Sequence, residues 1–466
     1  MADNSRQLGE KLAGYLHSLP AHTLVQLVHE LDGVTISSDL DPANAMILEA
    51  ARKALCAHGN WGEIAAWPER MAFTDAELFR IGVHTQEKHR GRIADDSLRN
   101  IWVALVRNGE NNEISAEIRD LARTIADEPA MLEKHTTELR AGMAQRLSDL
   151  YRDMVSEGIH GRRASAQIGG LRSIEDLADL IAIMAMGDRL DAFKRRIRDR
   201  IDHLDEKTQV AIDAALEPFS REELTYPLIV LLGQMTNPGS LVNLLVMAEG
   251  TDDPTRLVRA RYAPVVDVLL NELDILAMIV AESMLSWNVR EGALPAVRRF
   301  HEIGSSLAFA IDMETASDWS QRLIGKRRRI ADTLREPLEK TVAQLRLGIQ
   351  PNGAGIVPPD PLDTEQAIAS AQLLMAIKPL RSELALNECV SRVHTAVESF
   401  FDTAARSLPQ QARQADIGDM PALNARFDAL YRTSIVLFGD EYAALLRRSG
   451  EVAGLRLPDD ATSVAA

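Results

Sequence analysis

Residues 132–154 read LEKHTTELRAGMAQRLSDLYRDM, and Leu132, Leu139, Met143, Leu147, Leu150 and Met154 fall on one helical stripe. Apolar residues at such intervals lie above one another on an α-helix, whereas a half-buried strand would alternate. Leu190, Phe193, Ile197, Ile201 and Leu204 repeat the pattern further on. Almost nothing in the chain alternates with period two, and the one strand-like scrap, Val34-Thr35-Ile36, is too short to found a sheet. The reading is an all-α protein of stacked or bundled amphipathic helices, αα-hairpins among them, with no significant β-sheet.

At 466 residues the chain is too long for one compact core, and 46% hydrophobic content supplies a substantial buried interior. Its 52 basic and 68 acidic residues leave a net charge of -16, which argues against nucleic acid because phosphate contacts demand a basic face. Cys56 and Cys389 stand far apart with no metal-ligand spacing, so neither a disulfide framework nor structural zinc is expected. The first residues, MADNSRQLGEKLAGYL, lack the basic region and apolar block of a signal peptide, so a cytoplasmic protein is expected. Leu224 to Ala248 carries no charge, but the turn cluster Gly233–Ser240 interrupts it. Two buried helices joined by a tight turn account for that run, and no membrane role is expected.

Glycine and proline clusters divide the chain. Helices are expected near 5–31, 42–57, 74–106, 112–127, 129–157, 173–202, 205–217, 220–233, 239–249, 254–287 and 315–347. Thr74 and Glu77 have the spacing of a capping box, and the last stripe passes through Pro337, where a kink is expected. The pair 220–233 and 239–249 has the form of an αα-hairpin. Residues 348–363, rich in proline and glycine, read as a flexible tether. The expected division is a helical unit over 1–128, a central core over 129–347, the linker 348–363, a C-terminal unit over 364–455 and a tail over 456–466. No fixed repeat is present.

Chemistry-bearing motifs are sparse. Asp95-Asp96 and Asp252-Asp253 would need a third carboxylate one turn on to hold magnesium, and Arg99 and Arg256 stand there instead. Glu157–His160 is the one Glu-x-x-His and has no twin; His84 and His89 diverge on a helix. His301, in FHEIGSSL, superficially resembles the phospho-accepting helix of histidine kinases. The following Pro is absent, Gly304 replaces the usual Lys, and no nucleotide-binding boxes follow. Arg162-Arg163-Ala164-Ser165 has the form of a basophilic kinase site. Neither a phosphate-binding loop nor a nucleophile elbow occurs. No catalytic residue, metal or cofactor is therefore expected.

The remaining candidates concern binding. Lys326-Arg327-Arg328-Arg329 concentrates four cations that could dock an acidic partner, and Trp61 and Trp67 lie in a loop-like stretch where an exposed indole would anchor one. Asp267, Asn271 and Asp274 form a polar stripe on an otherwise apolar helix and mark a possible ligand pocket. The favoured function is a non-enzymatic helical interaction module, an adaptor or regulator that binds a protein partner. The alternatives are a small-molecule or lipid-binding regulator with a pocket among helices 224–285, and an enzyme with a dispersed site.

Overall fold

Among the described residues the fold is all-α, 80% helical with only two short strands, as the periodicity predicts. A computed structural model describes residues 11–37, 41–83, 85, 87–108, 113–155, 166, 168–197, 200–313, 317–350 and 356–458. Contacts divide the chain into two compact units, Met1–Thr236 and Asn237–Ala466.

The first unit contains α1 (Ala21–Ser37), α2 (Pro42–Cys56), α3 (Asn60–Ala65), α4 (Pro68–Ala72), α5 (Asp95–Asn108), α6 (Glu113–Asp127), α7 (Leu132–Val155), α8 (Leu171–Ala185), α9 (Gly187–Arg196), α10 (Glu206–Leu216) and α11 (Thr225–Gln234). Helix α1 packs on α2 and α6, and α8 packs on α5 and α7. The stripe quoted first does what its spacing implies: Leu139, Met143, Leu147, Leu150 and Met154 are all buried.

Four local expectations are corrected in this unit. Val34-Thr35-Ile36 is the last turn of α1 and not a strand. The helix expected over 74–106 is instead a 3-10 turn over Thr74–Phe79, a two-residue parallel pairing of Arg80–Ile81 with Ile93–Ala94, and then α5. Gly91 explains the break: it takes φ +74, and a Cβ there would meet Ile229 Cδ1 at 2.8 Å. The intervening loop is then held by charge. Lys88 Nζ reaches Asp179 Oδ2 at 2.6 Å and also pairs with Asp176, while Tyr226 donates its hydroxyl to Asp179 Oδ1 at 2.8 Å. Thr74 does not cap a helix; its hydroxyl donates to the Met71 carbonyl at 3.0 Å. The helix expected over 173–202 breaks at Met186, and Ile201 bridges to Met235.

The second unit contains α12 (Val242–Glu249), α13 (Pro254–Leu257), α14 (Pro264–Leu285), α15 (Leu294–Ala310), α16 (Asp318–Ile349), α17 (Pro361–Ile377), α18 (Asn387–Gln414), α19 (Met420–Phe438) and α20 (Asp440–Val452). Helix α14 is buried on most sides, as its sequence requires, and packs on α15 and α16. Helix α16 runs through Pro337 without ending there. The segments expected to pair as an αα-hairpin correspond to α11 and α12, which belong to different units.

The proline-rich stretch is tied down where it is described. Gly348 and Ile349 are buried at the end of α16, the Val357 carbonyl accepts a 2.8 Å bond from Arg426 Nε, and Asp360 caps α17, which begins at Pro361. Helices α16 and α17 pack closely enough that a Cβ on Gly348 would meet the Asp363 carbonyl oxygen at 2.5 Å. The prolines here start a helix as much as they prevent one. Residues 351–355 lie outside the described residues, as does most of the loop bearing Glu157, His160 and Arg162–Ser165. Among the described residues no helix is long and apolar enough to cross a membrane.

Candidate functional site

Two groups singled out by sequence meet each other. Asp274 on α14 is fully buried, and Lys326 Nζ lies 3.2 Å from its Oδ1, to which Arg329 also donates. Asp267, two turns earlier, accepts a 2.6 Å bond from Arg322. The acidic stripe therefore pairs α14 with α16, its carboxylates turned to cations and not to a ligand, with Asn271 half-buried between them in sequence. A carboxylate this deep is tolerated only with such partners.

The run Lys326–Arg329 is not one solvated face, because successive helical residues point about 100° apart. Lys326 and Arg329 turn to Asp274. Arg327 donates to Glu383 Oε1 at 2.9 Å and to the Gly304 carbonyl at 3.2 Å. The other Glu383 oxygen lies 2.6 Å from His301 Nδ1, so His301 is held by a carboxylate. Arg328 alone of the four points outward, with its side chain 84% exposed and Asp332 4.0 Å away.

Trp61 and Trp67 are half-buried, Trp61 within the short helix α3 and Trp67 immediately before α4, where the sequence suggested a loop. Trp61 lies against His58 with ring centroids 5.5 Å apart. The Arg52 guanidinium sits 3.9 Å above the Trp67 ring and also bonds Asp32 at 2.8 Å. Arg99 joins Asp32 to the buried Glu69, so Trp67 roofs an ion cluster.

The sequence reading missed the turn after α14. Leu285 is 84% exposed, and Trp287, 45% exposed, takes φ 55. That conformation costs a bulky L-residue about 1–3 kcal/mol and persists only where its surroundings impose it. Here they do. The Asn288 amide bonds the Ser283 carbonyl at 2.9 Å, and a π-helical turn over Val289–Ala293 follows with Val289 and Ala293 buried. Gly292 packs so close to α14 that a Cβ would meet Ser283 Oγ at 2.1 Å. Arg290 fastens the turn to α17 through Gln372 Oε1 and Glu365 Oε2, each at 3.0 Å. The chain thus holds an apolar residue and an indole outward on a fixed backbone. The available signal was the end of the buried face of α14 at Ser283, which leaves Leu285 and Trp287 beyond it.

Histidines form no ligand set: among the described residues no three His, Cys, Asp or Glu side chains could hold a metal ion together. His29 is buried, its Nε2 lies 3.2 Å from the Ala65 carbonyl oxygen, and burial lowers its pKa to about 4. His89 is also buried, and His84 lies outside the described residues. Asp95 is held by Arg80 Nε at 3.1 Å. No protein-family model matches the chain, and neither the curated proteins nor the solved structures contain a significant match to it.

Proposed function

We propose that the chain is a non-enzymatic helical interaction module, an adaptor or regulator that engages a protein partner through the turn following α14. The observation that carries this reading is Trp287, an exposed indole held at positive φ by a buried, glycine-dependent π-turn. Binding hot spots favour large, rigid side chains whose ordering cost is met before the partner arrives. Leu285 beside it enlarges the apolar patch. Of the cations expected to dock an acidic partner, Arg328 is the one presented outward, and it fits a rim position that steers encounter more than it adds affinity. Lys326, Arg327 and Arg329 are turned to neighbouring elements, Lys326 and Arg329 to Asp274 and Arg327 to Glu383.

The test compares affinity purification of the full chain with that of a Leu285→Ser/Trp287→Ala variant. A partner retained near stoichiometrically by the native chain and lost by tenfold or more from an equally stable variant supports the reading. Equal retention by both refutes the role of this turn.

A further inference from the structure

Helix α15 carries a histidine whose two ring nitrogens stand in different surroundings. His301 Nδ1 lies 2.6 Å from Glu383 Oε2. A carboxylate only accepts, so Nδ1 holds the proton and, in the neutral ring, the free electron pair sits on Nε2. Nε2 has no hydrogen-bond partner among the described residues and is not a buried atom, and the side chain as a whole is 42% exposed. The nucleophilic nitrogen is therefore the one that meets solvent.

The carboxylate behind the ring is held in place. Glu383, in the turn that follows α17, takes a 2.9 Å bond on its other oxygen from Arg327 of α16, which also reaches the Gly304 carbonyl. Gly304, one turn after His301, lets this carboxylate come close: a Cβ there would stand 3.1 Å from Glu383 Oε1. One turn before His301, on the same face of α15, Arg298 is exposed and bound to no carboxylate among the described residues. Its neighbour Arg299 pairs with Glu272 at 3.3 Å instead. His135 and His394 also face a glutamate, but at 3.3 Å and from their own helix, and His394 Nε2 is occupied by Lys378 at 2.8 Å. His301 combines an outward electron pair, a fixed carboxylate behind the ring and an unneutralised cation beside it.

We propose that His301 is a modification site that accepts a phosphoryl group on Nε2 from a phosphoramidate, the chemical class to which a partner's phosphohistidine belongs. The Nε2 electron pair forms the new P–N bond as the donor's P–N bond breaks. The donor nitrogen, already protonated, leaves with the electron pair of the broken bond as a neutral amine or imidazole. Nδ1 keeps its proton, so the ring becomes a phosphorylated imidazolium whose positive charge lies against Glu383. The phosphoryl oxygens stand on the solvent side, where the Arg298 guanidinium matches their charge and geometry. An acyl group would bring no negative charge for Arg298 to meet. The site is separate from the turn after α14, so either reading can fail without the other.

The full chain is treated with potassium phosphoramidate and mapped by mass spectrometry under alkaline conditions, in which the P–N bond persists. His22 and His203, both exposed and without a carboxylate partner among the described residues, are internal references. His301 is expected to be modified roughly tenfold or more faster than either, the gain of one charge-assisted hydrogen bond in the imidazolium product. Phosphorus NMR should show the Nε2-linked isomer. Glu383→Gln keeps the size of the side chain but not its charge, and should remove most of that advantage without changing the rates at His22 and His203. In nitrogen NMR the neutral His301 ring should be the Nδ1–H tautomer in the native chain and lose that preference in Glu383→Gln. Arg298→Ala, an exposed substitution, should slow modification of His301 several-fold with melting unchanged. Modification of His301 no faster than of His22 and His203 overturns the proposal. So does a product linked through Nδ1, or an Arg298→Ala variant that keeps the native rate.

Discussion

Replacing Asp274 by Asn keeps the size of the side chain and one acceptor oxygen but removes the charge on which two cations depend. Asp274 is wholly buried, and the Lys326 and Arg329 side chains are 10% and 31% exposed. Removing one partner of a buried ion pair costs about 3–5 kcal/mol, because the remaining charge stays desolvated. Arg329 is exposed enough to swing toward water, whereas Lys326 is not, so the low end of that range, about 3 kcal/mol, applies. For a unit of this size that corresponds to a melting temperature lower by about 6–12 °C. Thermal unfolding followed by circular dichroism measures it. Arg328→Gln, made on the outward cation of the same helix, should shift melting by about 2 °C or less. Asp274→Leu combined with Lys326→Met should recover most of the loss, since an apolar pair replaces a desolvated one. A single Asp274→Asn variant melting within 2 °C of the native chain would refute the assignment of these charges to helix pairing.

Three further outcomes are expected. His29 has its pKa lowered from 6.5 to about 4, so its contribution to stability is complete above pH 6.5 and is lost as pH falls toward 4. His29→Gln, whose amide can still donate to Ala65, should lose less stability than the native chain between pH 7.5 and 4.5 in urea titrations, by roughly 2–3 kcal/mol; parallel curves would contradict this. Gly348→Val should destabilise the second unit by about 1–3 kcal/mol by forcing α16 from α17, and an unchanged urea midpoint would show that the two helices do not approach so closely. Gly292→Ala should loosen the turn that holds Trp287, read as faster amide exchange at Val289–Ala293 with α16 unaffected.

The parts of the fold legible in the sequence were those whose burial follows helical period. Leu139 to Met154 and the nearly all-apolar α14 announce themselves because each turn repeats the same demand. The 80–94 segment did not, because its shape depends on Lys88 meeting Asp176 and Asp179, residues far along the chain. The same limit applies to the charged groups. Asp274 and Lys326–Arg329 each stand out in sequence, but only their meeting shows that they answer one another. Trp287 is exposed by a positive φ that no residue type at that position advertises.

The most direct test of the interaction reading is photo-crosslinking in the native cell from a benzoyl-phenylalanine placed at position 287, with the same group at the exposed Val210 of the other unit as reference. The account predicts one dominant covalent adduct from position 287, absent from position 210 and suppressed when Leu285 is changed to Ser. No adduct from position 287, or the same set of weak adducts from both positions, would contradict a docking role for the turn after α14.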